Sequence, residues 1–330
     1  MSVERFLILA TGEGICRLAL HRDGSIGPIE RSLTTERIEA VVQDSSGILY
    51  AGSDRGKIHR STDGGSKWEA VFGAFPISGG LWTLAAHPVR PREIYAGLEP
   101  ASLWISRDGG EYWDELLGLR DHPAGGDWHF FEPMLPHVRA IAFDRNGERL
   151  YVGIEEGGVL LSRDGGGSFE NRSQGVDEDV HYLGVTPNDP DHLFAMTGGG
   201  LYRSRDGGHR WRKLSRGLHR WYCVPLHFVE ENPNFICIGA GNTAPPHWKS
   251  RGADAAIYRS EDGGESWTLS EGPFPLRGML SSISADCADP HRLFAGTTDG
   301  LLLKSEDGGK RWEVAAEKLP RIEELRVSQR

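Results

Sequence analysis

The chain has 330 residues, of which 38% are hydrophobic and 25% charged, a composition typical of a globular protein. Its formal net charge of −10 argues against nucleic acid as a partner. Near the N-terminus the apolar run covers only residues 6–10 and follows Glu4, so we expect no signal peptide and no membrane partner. The four cysteines are scattered without a Cys-x-x-Cys pair, which predicts reduced thiols and a cytoplasmic location.

An eight-residue motif, Ser-x-Asp-Gly-Gly-x-x-Trp/Phe, recurs six times, and we call each copy a box. The boxes begin at Ser61, Ser106, Ser162, Ser204, Ser260 and Ser305, with 42 to 56 residues between successive aspartates. Such a period is typical of propellers and solenoids. The Asp can accept hydrogen bonds from backbone N–H groups two or three residues later, the glycines permit positive φ, and the aromatic residue packs as an apolar plug. The motif therefore predicts a structural turn.

Each box belongs to a unit of four short β-rich segments. Around the first box these segments are "RIEAVVQD", "ILYAG", "GKIHRS" and "WEAVF", separated by Gly, Pro and Asp turns. No window shows the 3.6-residue apolar period of an amphipathic helix. Four strands in each repeated unit predict an all-β fold, a β-propeller with four-stranded blades.

The two ends of the chain together predict one further blade. Residues 5–33 contain three strand-like runs and no box, and "RIEELRVSQ" at Arg321 echoes "RIEAVVQD" at Arg37. We predict that the C-terminal strand joins the N-terminal blade and closes the ring, which removes open sheet edges. Blade 1 would comprise residues 5–33 and 321–328, blades 2–7 would lie within residues 37–316, and residues 1–330 would form a single seven-bladed domain.

The boxes resemble the Asp-box, or BNR, repeat of the sialidase-like propeller superfamily, and they cover most of the chain. The resemblance implies that each box lies between the third and fourth strands, on the face opposite the ligand site. Sialidases carry an Arg-Ile-Pro motif near the N-terminus, which "VERFLILATGEG" lacks, so the chain is not a true sialidase. It is most similar to uncharacterised bacterial BNR-repeat, glycosyl hydrolase-like proteins, and this level of resemblance does not give a function.

The face opposite the boxes is the place to look for a site, because loops held by a rigid scaffold often carry function. Two loops there, residues 118–139 and 239–256, are longer than the repeat requires. Alignment on the "YAG" segments makes one row of equivalent inner-strand residues: Arg37, Trp82, His137, His181, Val224, Ser281 and Arg321. A second row, two residues further on, contains Glu39, Leu84, Arg139, Leu183, Leu226, Ile283 and Glu323.

These residues allow three interpretations. His137, His181 and Glu155, with His129 and Asp179, could bind a divalent metal such as Zn, Mn, Fe or Ni. Alternatively His137 or His181 could act as a general base, with Glu155 as a further catalytic candidate and Arg37 and Arg139 holding a carboxylate or phosphate. Trp82, Tyr182 and Trp248 are further candidate contacts to a small-molecule ligand. In the third interpretation the entrance of the propeller's central channel, which we call the mouth, is only a solvated polar region in which Arg and Glu side chains of adjacent blades pair.

The interpretations lead to two functions. An enzyme, a hydrolase or lyase with or without a metal, would act on a small anionic substrate at the channel mouth. A non-catalytic scaffold would instead bind a protein partner through the long loops. A mouth plugged by Arg–Glu pairs, with no cavity near His181, would favour the scaffold.

Overall fold

Seven four-stranded antiparallel sheets follow one another along the chain and form the blades of a propeller. The structure is a computed structural model that describes residues 4–76, 79–130, 133–229 and 232–329. In the order from inner to outer strand, blade 1 contains β28, β1, β2 and β3, and each later blade contains four consecutive strands. The predicted all-β seven-bladed propeller with four-stranded blades is confirmed.

The strands of the described residues have the following bounds. Blade 1 has β1 (Arg5–Thr11), β2 (Gly14–Leu20), β3 (Ile26–Ser32) and β28 (Ile322–Gln329); blade 2 has β4 (Ile38–Gln43), β5 (Leu49–Ser53), β6 (Ile58–Ser61) and β7 (Glu69–Phe72). Blade 3 has β8 (Leu81–Ala86), β9 (Ile94–Leu98), β10 (Ser102–Ser106) and β11 (Asp114–Glu115); blade 4 has β12 (His137–Phe143), β13 (Leu150–Glu155), β14 (Gly158–Ser162) and β15 (Glu170–Asn171). Blade 5 has β16 (Val180–Thr186), β17 (Asp189–Thr197), β18 (Gly200–Ser204) and β19 (Arg212–Leu214); blade 6 has β20 (Tyr222–Phe228), β21 (Ile236–Gly241), β22 (Ala256–Ser260) and β23 (Thr268–Leu269). Blade 7 has β24 (Leu280–Asp286), β25 (Asp289–Thr297), β26 (Leu302–Ser305) and β27 (Glu313–Ala316).

Within the part of the chain that the structure describes, three short helical segments lie outside the blades: α1 (Leu117–Arg120), a 3₁₀ helix at Pro123–Asp127 and α2 (Pro245–Arg251). They belong to the two long loops that the sequence singled out. Neither α-helix of the described residues is long or apolar enough to cross a bilayer. All four cysteines are free, and only Cys287 is exposed.

The second strand of a blade is buried on both faces, because the neighbouring blades cover it. Every residue of β5 and of β9 is buried, which explains the continuous apolar runs "LYAGS" and "IYAGL". This segment requires a glycine because the inner strand of the next blade lies very close to it. A Cβ on Gly97 would lie 2.5 Å from the side chain of Val138 in the next blade, and one on Gly153 would lie 2.7 Å from Val180.

Each box forms the turn between the third and fourth strands, as its resemblance implied. In the first box, Asp63 Oδ1 accepts hydrogen bonds from the backbone N–H groups of Ser66 and Lys67, three and four residues later, rather than two or three. The Ser61 hydroxyl donates to the same oxygen and accepts from the N–H of Gly65. In this turn, side-chain oxygens of Ser61 and Asp63 therefore accept hydrogen bonds from the backbone N–H groups that have no partner in the sheet.

A box also contacts the preceding blade through an arginine, an arrangement that we call the guanidinium latch. A guanidinium on the third strand of one blade donates to the carbonyl of the first box glycine in the next blade. The three latches are Arg17 to Gly64 at 2.9 Å, Arg60 to Gly109 at 3.4 Å and Arg203 to Gly263 at 3.2 Å.

The ring closes where β28 pairs with β1, in a register that runs from Arg5 opposite Gln329 to Thr11 opposite Ile322. Leu325 and Ile322 of β28 are fully buried in the cluster that joins blade 1 to blade 7. The closing strand also contacts blade 2, because the backbone N–H of Val41 donates to Glu324 Oε2.

The first prediction concerns this closure. Leu325→Ala should lower the free energy of unfolding by about 2–5 kcal/mol, because it leaves a cavity at a fully buried leucine. Leu269→Ala is the matched control, since this leucine is 47% exposed and should change stability little. Chemical denaturation of both variants measures the difference, and equal effects would contradict a closing role for β28.

Candidate functional site

A β-bulge occurs at the same place in every inner strand. In β8, Leu81 pairs with Leu98 and Thr83 with Gly97, so Trp82 between them has no partner residue. The corresponding residues, which we call the bulge ring, are Glu39, Trp82, Arg139, His181, Val224, Ser281 and Glu323, with Pro225 also unpaired in blade 6. Bulges redirect side chains and are frequent beside active sites.

The bulge ring corrects the predicted alignment of the inner strands. Trp82, His181, Val224 and Ser281 do belong to one row. Arg37, His137 and Arg321 do not, because they lie two residues before the ring members Glu39, Arg139 and Glu323. Counting back from the "YAG" segment failed because the turn between the first and second strands varies in length. Seven residues separate Ala86 from Ile94 in blade 3, but five separate Gln43 from Leu49 in blade 2 and six separate Phe143 from Leu150 in blade 4. A pattern of apolar-x-x-apolar, as in "IEAV", "LWTL", "VRAI" and "IEEL", would have found the correct row.

The bulge ring surrounds a cavity of about 370 Å³ in the central channel, and His181 and Arg139 are among its lining residues. Arg–Glu pairs are present at the same mouth. Arg37 contacts Glu39 at 2.6 Å and Glu323 at 3.0 Å, and Arg321 contacts Glu323 at 2.7 Å. These pairs occupy the side of blades 1 and 2, so they do not plug the cavity near His181.

Three side chains at the junction of blades 4 and 5, which we call the mouth cluster, offer ligand atoms within 4.8 Å of one another: Glu155, Asp179 and His181. Glu155 ends β13, Asp179 precedes β16, and the two residues form an isolated antiparallel bridge. The two blades therefore hold both carboxylates beside the bulged His181. Donor atoms around a single zinc ion lie roughly 3–4 Å apart, because each bond is about 2 Å long.

The imidazole of His181 has a defined orientation. Its Nδ1 lies 2.7 Å from the carbonyl oxygen of Cys223, which can only accept, so Nδ1 carries the proton. Nε2 lies 3.0 Å from Asp179 Oδ1, but the two atoms are misaligned for a hydrogen bond, and neither has such a partner among the described residues. Two unpartnered buried acceptors face each other there unless a cation or a proton lies between them.

His137 contacts the mouth cluster through Glu155. Its Nδ1 lies 3.0 Å from the carbonyl of Leu135, its Nε2 lies 3.1 Å from Glu155 Oε2, and its ring stacks on Trp82 at 3.9 Å. Because both ring nitrogens have oxygen partners, this buried histidine orients Glu155. The Arg139 guanidinium lies 3.5 Å from the same oxygen of Glu155 and over the Trp82 ring.

Opposing electrostatic effects act on the carboxylates here. Burial opposes ionisation of Glu155, but the hydrogen bond from His137, the charge that His181 carries when protonated and the charge of Arg139 lower its pKa to about 2. Burial raises the pKa of the adjacent Glu156, and the nearby carboxylates of Asp179 and Asp177 raise it further. For His181, burial lowers the pKa and Asp179 and Glu155 more than offset it, so the net shift is upward. This rim of the channel is a strongly negative environment.

The remaining predicted residues are distributed around the mouth. Tyr182 lines the channel and is 37% exposed. Trp248 on α2 packs against Tyr222 and donates to the carbonyl of Thr243, so it is part of the blade 6 packing. His129 is exposed and lies beside the Asp127 carbonyl, and it is not in the mouth cluster.

No family model matches the sequence, and no curated protein matches it. Solved structures do match its fold. The GH74 xyloglucanase from Xanthomonas campestris superposes with a TM-score of 0.72 at 16% identity over 94% of this chain and 52% of that one. The present chain therefore spans about half of that enzyme's length.

Two other propellers match most of their own length. YCF48 bound to D1 peptide superposes with a TM-score of 0.62 at 16% identity, covering 90% of this chain and 86% of that one. The WD40 repeats of RRP9 superpose with a TM-score of 0.63 at 13% identity, covering 97% and 88%. At these identities the comparisons show the β-propeller fold, and they include both an enzyme and a peptide-bound protein.

The second prediction concerns Glu39. Burial and the neighbouring Glu323 raise its pKa, and the three nearby arginines only partly offset them. A carboxyl whose pKa is raised by folding costs stability at pH values above its folded pKa, and the cost disappears as the pH falls toward its unfolded pKa of about 4.3. Glu39→Gln should therefore raise the thermal midpoint at pH 8, with a gain that shrinks toward pH 4.

Glu36→Gln is the control with the opposite sign. Burial opposes ionisation of Glu36, but hydrogen bonds from His59 and Lys57 lower its pKa, so its loss should destabilise the protein at neutral pH. Thermal denaturation from pH 4 to pH 8 measures both variants. A pH-independent effect of Glu39→Gln would contradict the prediction.

Proposed function

We propose that the channel mouth is a divalent-metal site that binds a small anionic ligand and catalyses a hydrolytic or lyase reaction on it. The observation that carries this proposal is the buried Nε2 of His181, which has no hydrogen-bond partner among the described residues and faces Asp179. A metal coordinated by both atoms would satisfy them together, and the Cys223 carbonyl would orient the imidazole as a typical outer-shell partner.

The donor set favours a metal that accepts both nitrogen and oxygen, which is consistent with Zn, Mn, Fe or Ni. Three protein ligands leave coordination positions open for water or substrate, as in catalytic rather than structural zinc sites. A bound metal would activate a water molecule or polarise an oxygen of the ligand. The surrounding acidic residues Glu156 and Asp177 add negative potential that attracts a cation.

Arg139 is the residue whose position supports the proposal of an anionic ligand. It lines the cavity beside His181 and contacts Glu155 only at 3.5 Å, so several of its five N–H donors remain for a carboxylate or phosphate. Arg37 is less suited to this role because Glu39 and Glu323 both hold it. Val224 and Ser281 line the cavity on the side of blades 6 and 7, where the bulge ring carries no charge.

The third prediction tests the metal. Protein purified without an affinity tag should contain about one divalent ion per chain by mass spectrometry, and the metal-free protein should bind one again in calorimetric titration. Asp179→Asn keeps the shape of the side chain but removes its charge, so it should weaken binding at least about tenfold. His137→Asn should have a smaller effect in the same direction, because it only orients Glu155.

Two variants serve as controls for this prediction. Glu156→Gln removes the adjacent acid, which is outside the mouth cluster, and His192→Gln removes another histidine whose buried Nε2 has no partner. His192→Gln should leave metal binding unchanged, and Glu156→Gln should weaken it less than Asp179→Asn does, because Glu156 contributes charge but no ligand atom. Absence of metal from the wild type, together with no binding in titration, would contradict the metal site.

A protein-interaction scaffold is the second candidate function. Its support is the exposed apolar side chains beside the inner strands, Leu135 and Trp221, each 44% exposed. The similarly sized YCF48 propeller with its D1 peptide shows that such a fold can bind a peptide.

The fourth prediction separates the two functions. For a scaffold, Trp221→Ala should weaken capture of the same binding protein from cell extract, whereas Glu155→Gln should not. For a metal-dependent enzyme, Glu155→Gln should abolish metal binding while Trp221→Ala keeps it. Affinity capture and metal analysis of the same two variants measure both outcomes.

A further inference from the structure

On the box face, three guanidinium groups of blade 5 converge on one carboxylate of blade 6. Glu265 Oε1 accepts from Arg203 at 2.7 Å and from Arg205 at 2.9 Å, and its Oε2 accepts from Arg212 at 3.0 Å. Arg203 is the latch arginine and is 5% exposed, whereas Arg205 and Arg212 are 60% and 65% exposed. Three positive charges therefore meet one negative charge.

The same frame carries no surplus of positive charge at the junction of blades 2 and 3. There the latch arginine Arg60 contacts Glu69 on the opposite strand at 2.6 Å and Glu111 of the next box at 3.0 Å. Arg60 pairs with Glu69 in register, and Arg203 pairs with Arg212 in the equivalent register of blade 5. Blade 5 thus has an arginine where blade 2 has a glutamate.

Two like charges directly opposite each other on antiparallel strands are destabilising. The box of blade 5 adds a further arginine, Arg205, at the position that Thr62 occupies in blade 2. These changes give blade 5 a surplus of positive charge that nothing in the propeller frame requires, in a chain whose formal net charge is −10.

Neighbouring titratable groups respond to this surplus. Burial lowers the pKa of Arg203, and the hydrogen bond to Glu265 offsets this only in part, because the charges of Arg205 and Arg212 oppose it. Burial, Arg205 and Arg203 together lower the pKa of His192 to about 4. The local potential is therefore positive even with Glu265 in place.

We propose that Arg205 and Arg212 bind a phosphate-type dianion on the box face, at the junction of blades 5 and 6. Glu265 holds the two exposed guanidiniums side by side, and each uses only one N–H on it. The remaining donors point to charge-assisted, multidentate recognition of a tetrahedral oxyanion. The three arginines and Glu265 together carry a net charge of +2, which matches the charge of a dianion. The phosphate is either that of a small ester or one carried on a protein side chain.

The fifth prediction tests this site on metal-free full-length protein, so that the channel mouth does not contribute through a metal. Inorganic phosphate and a phosphoserine peptide are titrated separately at low ionic strength and followed by calorimetry. Both should bind saturably, and the double variant Arg205→Gln/Arg212→Gln should weaken binding at least about tenfold. Both replaced side chains are exposed, so the fold should persist, as circular dichroism checks.

Arg107→Gln is the matched control, because Arg107 has the same box position in blade 3 and forms an ion pair with Asp114, at 3.5 Å. It should leave binding unchanged. Raising the ionic strength from about 0.01 to 0.15 M should weaken binding, since the screening length falls from about 30 to 8 Å. Tighter binding of the peptide would assign a protein-carried phosphate, and equal or tighter binding of the free ion a small ester. No saturable binding, or equal binding by the double variant, would overturn the proposal.

Discussion

The close packing of each second strand against the next inner strand is the contact on which the ring depends. In blades 2, 3, 4, 6 and 7 it requires a residue without a side chain, since a Cβ at positions such as Gly97 and Gly153 would overlap the adjacent blade. Blades 1 and 5 have Ala10 and Met196 at the equivalent pairing position. Burial of the second strands on both faces follows from this packing and supplies most of the apolar contact. The guanidinium latches add polar contacts between blades at the box face.

With the blades fixed at this distance, the repeat still varies in chemistry at two places. One is the bulge ring, where Glu39, Arg139 and His181 occupy equivalent backbone sites but differ fully in chemistry. The other is the box face, where residues 203–212 differ from the frame seen in blade 2. Mouth and box face are separated by the length of the strands, so the two ends of one scaffold are free to carry different sites.

The repeat itself made the fold predictable. Six boxes, the apolar runs of the second strands and the echo between the segments at Arg37 and Arg321 sufficed for the blade count and the closure. The site was only partly predictable. Glu155, Asp179 and His181 were among the candidates, but the row of His137 was wrong because the turns between first and second strands differ in length, which counting back from the second strand does not allow for. The convergence on Glu265 joins residues about 60 positions apart and depends on blade packing that local patterns do not contain.

The closing strand also has a consequence for the order of assembly. Strands β1 to β3 are made first, but their inner partner β28 comes from residues 322–329, almost the whole chain length later. Blades 2 to 7 consist of consecutive segments and can form as the chain emerges, whereas blade 1 stays incomplete until residues 322–329 have been made. During that interval β1 has an unpaired edge composed of "RFLILAT", the kind of exposed apolar strand that a second unfinished chain or a chaperone would bind.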